Sequence, residues 1–266
     1  MMTRMRHYRR IALALVRQSL VREAEFRTQL WVTMIIGMLE VAVALVPPLL
    51  VFSRTGQVHG WTVGEVVAVT GAAGLLSALL ATFVSPNQSK MTDYIREGDL
   101  DQLVVRPVPL QAYAAVRWLQ PAELWGGLAG LLLIIVGAAQ AGLRPGPIQV
   151  LVAVGWFLIG YATVSMIMLN LGYLAFWITS AGQVSDLVTA MLTAGRYPLA
   201  FYPAAVRVGL LVVIPLGLAT SVPVDALRGV SHAGSLVWGL LLLIVVAAIT
   251  RLHWLAGIRS YSSASS

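Results

Sequence analysis

Long apolar runs that carry almost no charge recur along this chain, and they restrict its fold more than any other feature. The clear runs cover residues 30–52, 63–84, 119–141, 148–178 and 236–249. All but the last exceed the ~20 apolar residues that a helix needs to cross the hydrocarbon core of a bilayer. Since only 11% of the 266 residues are charged, a soluble globular domain and a disordered chain are both excluded. The sequence predicts an all-α integral membrane protein.

The distribution of basic residues predicts the number and direction of the crossings. Seven of the 18 basic residues lie at or before Arg27, ahead of the first apolar run, and the loop before the third run holds four more. By the positive-inside rule both termini lie in the cytoplasm, which requires an even number of spans, and the length of the chain fits six transmembrane helices. This placement of basic residues also indicates contact with membrane lipids and argues against a nucleic-acid partner.

The sequence leaves the position of the fifth span open. Residues 183–203 and 204–220 are both apolar but interrupted, the first by Asp186 and the second by Pro215. Only one of them fits as a net crossing, so the other must be re-entrant, with its irregular backbone surrounded by protein or by a water-filled cavity. We favour a crossing by 183–203 and an outer re-entrant segment over 204–234, before the last span.

Three regions follow from these assignments. Residues 1–29 alternate apolar and arginine side chains at helical spacing, which predicts a cytoplasmic amphipathic helix in the membrane interface; a merely solvated start of the first span is the alternative. Residues 30–255 then form one six-span domain, and residues 256–266 form a cytoplasmic tail. Trp238 and Trp254 flank the last apolar run, where tryptophan is typical of the membrane interface.

The cytoplasmic segment 88–110 concentrates charge in a chain that otherwise has little. A short helix in this segment would present its charged side chains together, which indicates a docking surface, whereas an ordinary solvated loop is the plainer alternative. Ile95 would pack beneath such a helix together with Leu100, and Gly98 could interrupt it. The candidate docking residues are Asp93, Arg96, Glu97, Gly98, Asp99, Leu100 and Asp101.

Three acidic residues lie within or at the ends of apolar segments, namely Glu40, Glu123 and Asp186. A charge inside a membrane is costly, so these residues are functional candidates, although an ion pair with another helix explains each of them as well as contact with a substrate or a proton. Gly126 and Gly130 have the GxxxG spacing that predicts close helix packing within the chain.

Several kinds of chemistry have no motif in this sequence. Lys90 is the only lysine, and no GxxxxGK[ST] sequence occurs, so the chain has no P-loop with which to hydrolyse ATP. There is likewise no HExxH, no GxSxG and no cysteine. We therefore expect no catalytic residues, no metal site and no cofactor bound by this chain.

Three stretches of the sequence resemble a known family. The stretch Ile95-Arg96-Glu97-Gly98-Asp99-Leu100-Asp101-Gln102-Leu103, followed by Arg106-Pro107, resembles a cytoplasmic loop of ABC-2-type ABC transporter permeases, in their branch of small six-span subunits. Arg196-Tyr197-Pro198-Leu199 is similar to that family's broken outer segment, and Arg259 to Ala264 is similar to its ending.

The resemblance implies a non-catalytic subunit of an ATP-driven transporter in the bacterial cytoplasmic membrane, usually an exporter. It implies an amphipathic connecting helix before the first span and re-entrant helices between the fifth and sixth spans. It also implies two permease copies, identical or homologous, with two ABC ATPase subunits that bind ATP and Mg. The segment 91–105 would then be the coupling segment that contacts the ATPase.

The nature of the substrate and two other functions remain open at this point. Because polar groups in the spans are few, we expect a hydrophobic or amphipathic substrate. A self-sufficient ion-coupled carrier or channel would instead use Glu40 and Asp186 and would work without an ATPase. A membrane anchor that only recruits a partner would need neither residue.

Overall fold

The computed structural model describes residues 18–19, 27–98, 100, 110–178, 192–231 and 233–261, and these residues are mostly helical. Their only β-type contact is an isolated bridge between Val58 and Trp61. The α-helices are α1 (Arg27–Phe52), α2 (Val63–Phe83), α3 (Ser85–Glu97), α4 (Leu110–Val116), α5 (Leu124–Gln140), α6 (Pro147–Tyr173), α7 (Ala204–Val208), α8 (Leu216–Ala219), α9 (Ser221–Leu227) and α10 (Leu236–Ser260).

Five helical stretches in the described residues are long and apolar enough to cross a membrane. A bent pair of helical segments, Ala204–Val213 and Leu216–Leu227, makes a sixth if it counts as one span. The prediction of an all-α integral membrane fold is therefore confirmed. The five stretches are Trp31–Phe52, Val63–Ile95, Pro121–Gln140, Pro147–Phe176 and Ala233–Ser260.

Two element boundaries differ from the sequence-based expectation. Helix α2 ends at Phe83, next to the end of the second apolar run, but α3 begins directly after a single residue, Val84, where the sequence indicated no helix. Pro86 lies in the first turn of α3, where its missing N–H has no helical partner to lose. The last helix continues to Ser260, and its Trp254 is only 4% exposed, so the placement of this side chain at the lipid interface is wrong.

Some predicted regions lie largely outside the described residues. Of the amphipathic helix in 1–29, only residues 18–19 and 27–29 are described, and all of these are helical. The predicted crossing over 183–203 is described only from residue 192 onward. The sequence therefore remains the basis for both of those assignments.

Helices α2 and α5 pack antiparallel with their backbones in contact. A Cβ added to Gly71 would lie 2.5 Å from the carbonyl oxygen of Gly130, and a Cβ added to Gly64 would lie 2.6 Å from the carbonyl oxygen of Gly137. The glycines recur every seven residues on both helices, which keeps them on one seam. Small residues of this kind drive helix association in a membrane, where the hydrophobic effect contributes little between helices.

The bent pair lies against α6 through a similar close contact. A Cβ on Gly160 of α6 would lie 2.5 Å from the backbone nitrogen of Ala219, so α8 reaches the backbone of α6. Leu216 and Ala219 are fully buried in a cluster shared with Leu80 of α2 and Val164 of α6. The two arms of the pair meet at 74°, at the break before Pro215. A bend of this size occurs both in broken spans and in re-entrant elements.

A network around Arg228 connects the end of α9 to the start of α2. The Arg228 guanidinium lies 2.8 Å from Glu65 Oε1 and 2.9 Å from Asp225 Oδ1, and it donates to the carbonyl oxygen of Gly60. It also stacks over the Trp61 ring at 4.3 Å. The second oxygen of Glu65 accepts the Thr62 backbone N–H in a capping box at the start of α2. One guanidinium thus fixes the end of the bent pair against the helix that carries the α2–α5 seam.

Exchanging Gly130 for alanine should destabilise the α2–α5 seam. The added Cβ would lie 2.6 Å from the backbone nitrogen of Leu75, and overpacking of this kind typically costs about 1–3 kcal/mol. The Gly126→Ala variant is the matched control, because a Cβ there would meet only the Ala78 Cβ, at 3.9 Å. Thermal unfolding in detergent should show a lower midpoint for Gly130→Ala alone; equal midpoints for both variants would contradict the seam.

The Arg228→Gln variant should be strongly destabilised. It would leave two carboxylates that are mostly buried without their cation, and removal of one partner from a buried pair costs about 3–5 kcal/mol. The Arg207→Gln variant is the control, since Arg207 is exposed and donates only to the Tyr202 carbonyl at 3.3 Å. Chemical unfolding in detergent measures both variants, and a neutral Arg228→Gln would show that the network carries little stability.

Candidate functional site

The structure brings together charged residues that are distant in the sequence, in a cleft between α1, α2 and the start of α5. Glu40 and Glu123 both line this cleft, and Arg196 faces it from the segment that precedes α7. The cleft has a volume of about 110 Å³. Most of its wall consists of small side chains, namely Gly37, Ala44, Thr70, Gly74, Ser77, Ala78, Ala81 and Gly126.

Glu40 lies at the edge of the packed face of α1. The residues that face α2 and α5 recur at helical spacing as Gly37, Val41, Ala44 and Pro48, and the last two of these are buried. Glu40 is next to this stripe but is not part of it, and its side chain is 64% exposed. Since Glu40 is in the middle of α1, the part of the chain that the structure describes leaves its carboxylate largely open to the membrane interior.

Arg196 is the cation nearest to Glu40 in the described residues. Its Nη2 lies 4.0 Å from Glu40 Oε2, which is the outer limit of an ion pair, and its side chain is 28% exposed. The Arg196 carbonyl accepts a hydrogen bond from the buried Thr70 hydroxyl at 3.2 Å. The backbone of Arg196 is therefore held against α2, while its guanidinium reaches across the cleft towards α1.

The structure describes two of the three acidic candidates from the apolar segments. Glu40 and Glu123 share the cleft, whereas Asp186 lies outside the described residues. Glu123 occupies the last position of a 3₁₀ turn, Pro121–Glu123, directly before α5. Of the two GxxxG glycines, Gly130 forms the α2–α5 seam, and a Cβ on Gly37 of α1 would lie 3.7 Å from the Gly126 Cα. The two glycines thus serve contacts with different helices.

The charged segment after α2 starts with α3, an amphipathic helix. Its inner face places Met91 and Tyr94, which are 1% and 9% exposed, in a cluster with Leu100, Tyr173 of α6 and Trp254 of α10. The helix ends at Glu97, because Gly98 takes φ 79° and so terminates it in the left-handed conformation that favours glycine. This cluster attaches α3 to the ends of α6 and α10.

The outer face of α3 is charged and exposed. The Lys90 ammonium lies 3.0 Å from Asp93 Oδ2, and the two side chains are 48% and 41% exposed. Glu97 is also exposed, one turn beyond Asp93. The side chain of Arg96 lies outside the described residues, as do Asp99 and Asp101 entirely, so their part in a docking surface stays a prediction.

Asn87 connects α3 to the segment that leads into α5. Its side-chain amide donates to the Trp118 carbonyl at 2.8 Å and accepts the Trp118 backbone N–H at 2.8 Å. The Tyr94 hydroxyl accepts hydrogen bonds from Arg117 and from the Trp118 indole N–H. A Cβ on Gly172 of α6 would lie 3.0 Å from the Gln88 side chain. Polar and close contacts therefore fix α3 to two neighbouring parts of the bundle.

The sequence did not predict the contacts of two residues that connect distant parts of the structure, Asn87 and Arg196. No local pattern indicates the role of Asn87, because its partner Trp118 is 31 positions away. Arg196 read as part of an outer segment, since no local pattern indicates its approach to Glu40. The only available signal was the rarity of such polar side chains in an apolar chain. In the described residues no group of three or more His, Asp or Glu side chains is placed to hold a metal ion.

The Asn87→Leu variant should lower stability and loosen α3. Leucine has a similar size but removes the hydrogen bonds that the Asn87 side chain makes with the part-buried backbone N–H and carbonyl of Trp118, and loss of such bonds typically costs about 1–3 kcal/mol. The Ser89→Ala variant on the exposed side of α3 is the control. Thermal unfolding of the two variants in detergent measures the difference, and equal midpoints would contradict a role for Asn87 in holding α3.

Comparison with known proteins gives a family match, which covers α3 and nearly all of the cleft lining. The family model described as ABC-2 family transporter protein matches residues 38–265, which include all of α3 and every residue of the cleft lining except Gly37. No curated protein and no solved structure matches the chain. Because the family model covers most of the sequence, the chain belongs to the ABC-2 family of transporter proteins.

Proposed function

We propose that this chain is the permease of an ABC exporter whose ATPase subunit docks on the segment 91–105. Membership of the ABC-2 family makes the chain a multi-pass membrane subunit of an ABC transporter, and a partner ATPase follows in general terms. The proposal adds the docking site, the outward direction and an amphipathic substrate. It also places the chain in the bacterial cytoplasmic membrane with both termini in the cytoplasm, beside a second permease copy.

The exposed charged face of α3 is the observation that carries the docking proposal. Lys90, Asp93 and Glu97 lie together on a helix whose opposite face is buried against α6 and α10. A rigidly attached charged helix suits a subunit contact, because complementary charge steers association and selects the partner. An ordinary solvated loop would not need the Asn87 and Tyr94 contacts that hold this helix in place.

The connection of α3 to α2 supports a role in coupling. Only Val84 separates the two helices, and the Val84 backbone N–H still donates to the carbonyl of Leu80. A displacement of α3 by an ATPase would therefore move α2, and with it the seam to α5. Coupling requires that the ATPase contact α3 differently in its ATP-bound and nucleotide-free states.

The lining of the cleft supports an amphipathic substrate. Its charged groups lie among small and apolar side chains, and α1 beside it exposes apolar side chains along most of its length. A molecule with one polar end and one apolar end matches this arrangement better than a sugar, which needs hydrogen-bonding groups along a whole path.

Reversing charge on the exposed face of α3 should separate the chain from its ATPase. The tagged chain is purified in mild detergent from its native membrane, and the co-purified P-loop ATPase is quantified. In the Asp93→Lys/Glu97→Lys variant we expect the ATPase to fall by about tenfold or more, because like charges facing each other across an interface cost several kcal/mol.

The Arg144→Glu variant is the control, because Arg144 is exposed in the loop between α5 and α6, away from α3. Equal recovery of the ATPase from both variants would reject docking on α3. If the wild-type chain carries no ATPase and transports its substrate alone, the carrier function replaces the proposal, and a Glu40→Gln variant should then abolish transport.

A further inference from the structure

The cleft between α1 and α2 is built to hold opposite charges inside the membrane. We propose that it binds the zwitterionic head of an amphiphile, with an ammonium group beside Glu40 and a phosphate beside Arg196. The tail of the amphiphile would remain in the bilayer along α1. Only the claim that this ligand is transported rests on the proposed function, since binding itself requires no ATPase.

The first argument is the exposure of Glu40 in the middle of a span. A carboxylate there is costly unless water, a partner or a ligand solvates it. Among the described residues one cation, Arg196, lies at the outer limit of pairing distance, and 64% of the Glu40 side chain is exposed. The cleft therefore has a charged wall with space beside it.

The second argument concerns what happens to the ion pair when a ligand enters. A head with only a positive charge would draw Glu40 away from Arg196 and leave the guanidinium in a membrane environment without its carboxylate. A head with both charges replaces one loose pair at 4.0 Å by two close pairs, so neither Glu40 nor Arg196 loses a partner. A guanidinium also matches the geometry of phosphate oxygens with its several N–H donors.

The third argument is size and access. A volume of about 110 Å³ is several times the minimum that one water molecule requires, so the cleft has room for a compact polar head. The tail has a continuous apolar surface to follow, because Ile36, Leu39 and Val43 flank Glu40 on α1 and are 50%, 60% and 57% exposed. Phosphoethanolamine is the simplest head group with the required charges.

A photo-crosslinking experiment tests the head-group preference. The purified full-length chain in maltoside detergent is exposed to three amphiphiles that share one diazirine-bearing dodecyl tail and carry phosphoethanolamine, ammonium or phosphate heads. We expect labelling of α1 peptides by the phosphoethanolamine compound at concentrations about tenfold lower than for either single-charge compound. Equal labelling by the ammonium compound would overturn the requirement for both charges.

Variants locate the two contacts. Glu40→Gln and Arg196→Gln should each weaken labelling by the phosphoethanolamine compound about tenfold, whereas Arg54→Gln, at the exposed end of α1, should leave it unchanged. Stronger labelling of Arg196→Gln would identify a site for cations only and would overturn the proposal. If a variant fails to fold, competition by unlabelled compounds on the wild-type chain provides the same comparison of heads.

A second measurement shows whether the bound amphiphile is a transported substrate or a resident membrane lipid. In vesicles that contain the chain and its ATPase, stimulation of ATP hydrolysis by the phosphoethanolamine compound identifies transported cargo, and the absence of stimulation identifies a resident membrane lipid. Either response supports the head-group assignment, which only the labelling comparison overturns. Loss of the ATPase on purification would reject the proposed function without affecting that comparison.

Discussion

The backbone contact between α2 and α5 is the constraint on which the rest of this structure depends. Gly64 and Gly71 meet Gly137 and Gly130 so closely that no larger side chain fits between the helices. In a membrane such a contact replaces the hydrophobic effect, because lipid tails are as apolar as the helix surfaces. The α2–α5 pair is thus a fixed frame, against which α1 packs on one side and the bent pair on the other.

Charge is the second constraint, since the bilayer makes each buried charge depend on a partner. The chain meets this condition in two ways. Arg228 has two carboxylates, a carbonyl and an aromatic ring around it, so it is a well-satisfied structural group. Glu40 has a single guanidinium at 4.0 Å and a largely exposed side chain. The contrast between these groups in one molecule is what distinguishes a fixed ion pair from one that can exchange partners.

The sequence predicted what depends on composition and period, and it missed what depends on contacts between distant residues. The lengths of the apolar runs were sufficient for the membrane helices, since α1, α5 and α6 lie close to the expected runs. The second apolar run ends where α2 ends, but the start of α3 at Ser85 was missed, because proline in a first turn starts a helix as readily as it ends one. The burial of Trp254 was missed because its partners, Tyr94 and Tyr173, come from other helices.

The cleft and the proposed docking surface also depend on contacts between residues that are distant in the sequence. Glu40 and Glu123 were recognisable as unusual charges, but their approach to each other follows from the α2–α5 seam and from the packing of α1 against it. Both functional surfaces then share one element: α2 lines the cleft through Thr70, Gly74 and Ser77, and it continues almost directly into α3. A partner that moves α3 would therefore displace α2, together with Arg196 that Thr70 holds against it, relative to Glu40 on α1, because a helix transmits an axial displacement along its length. A loose ion pair at that wall is the contact that such a displacement changes first.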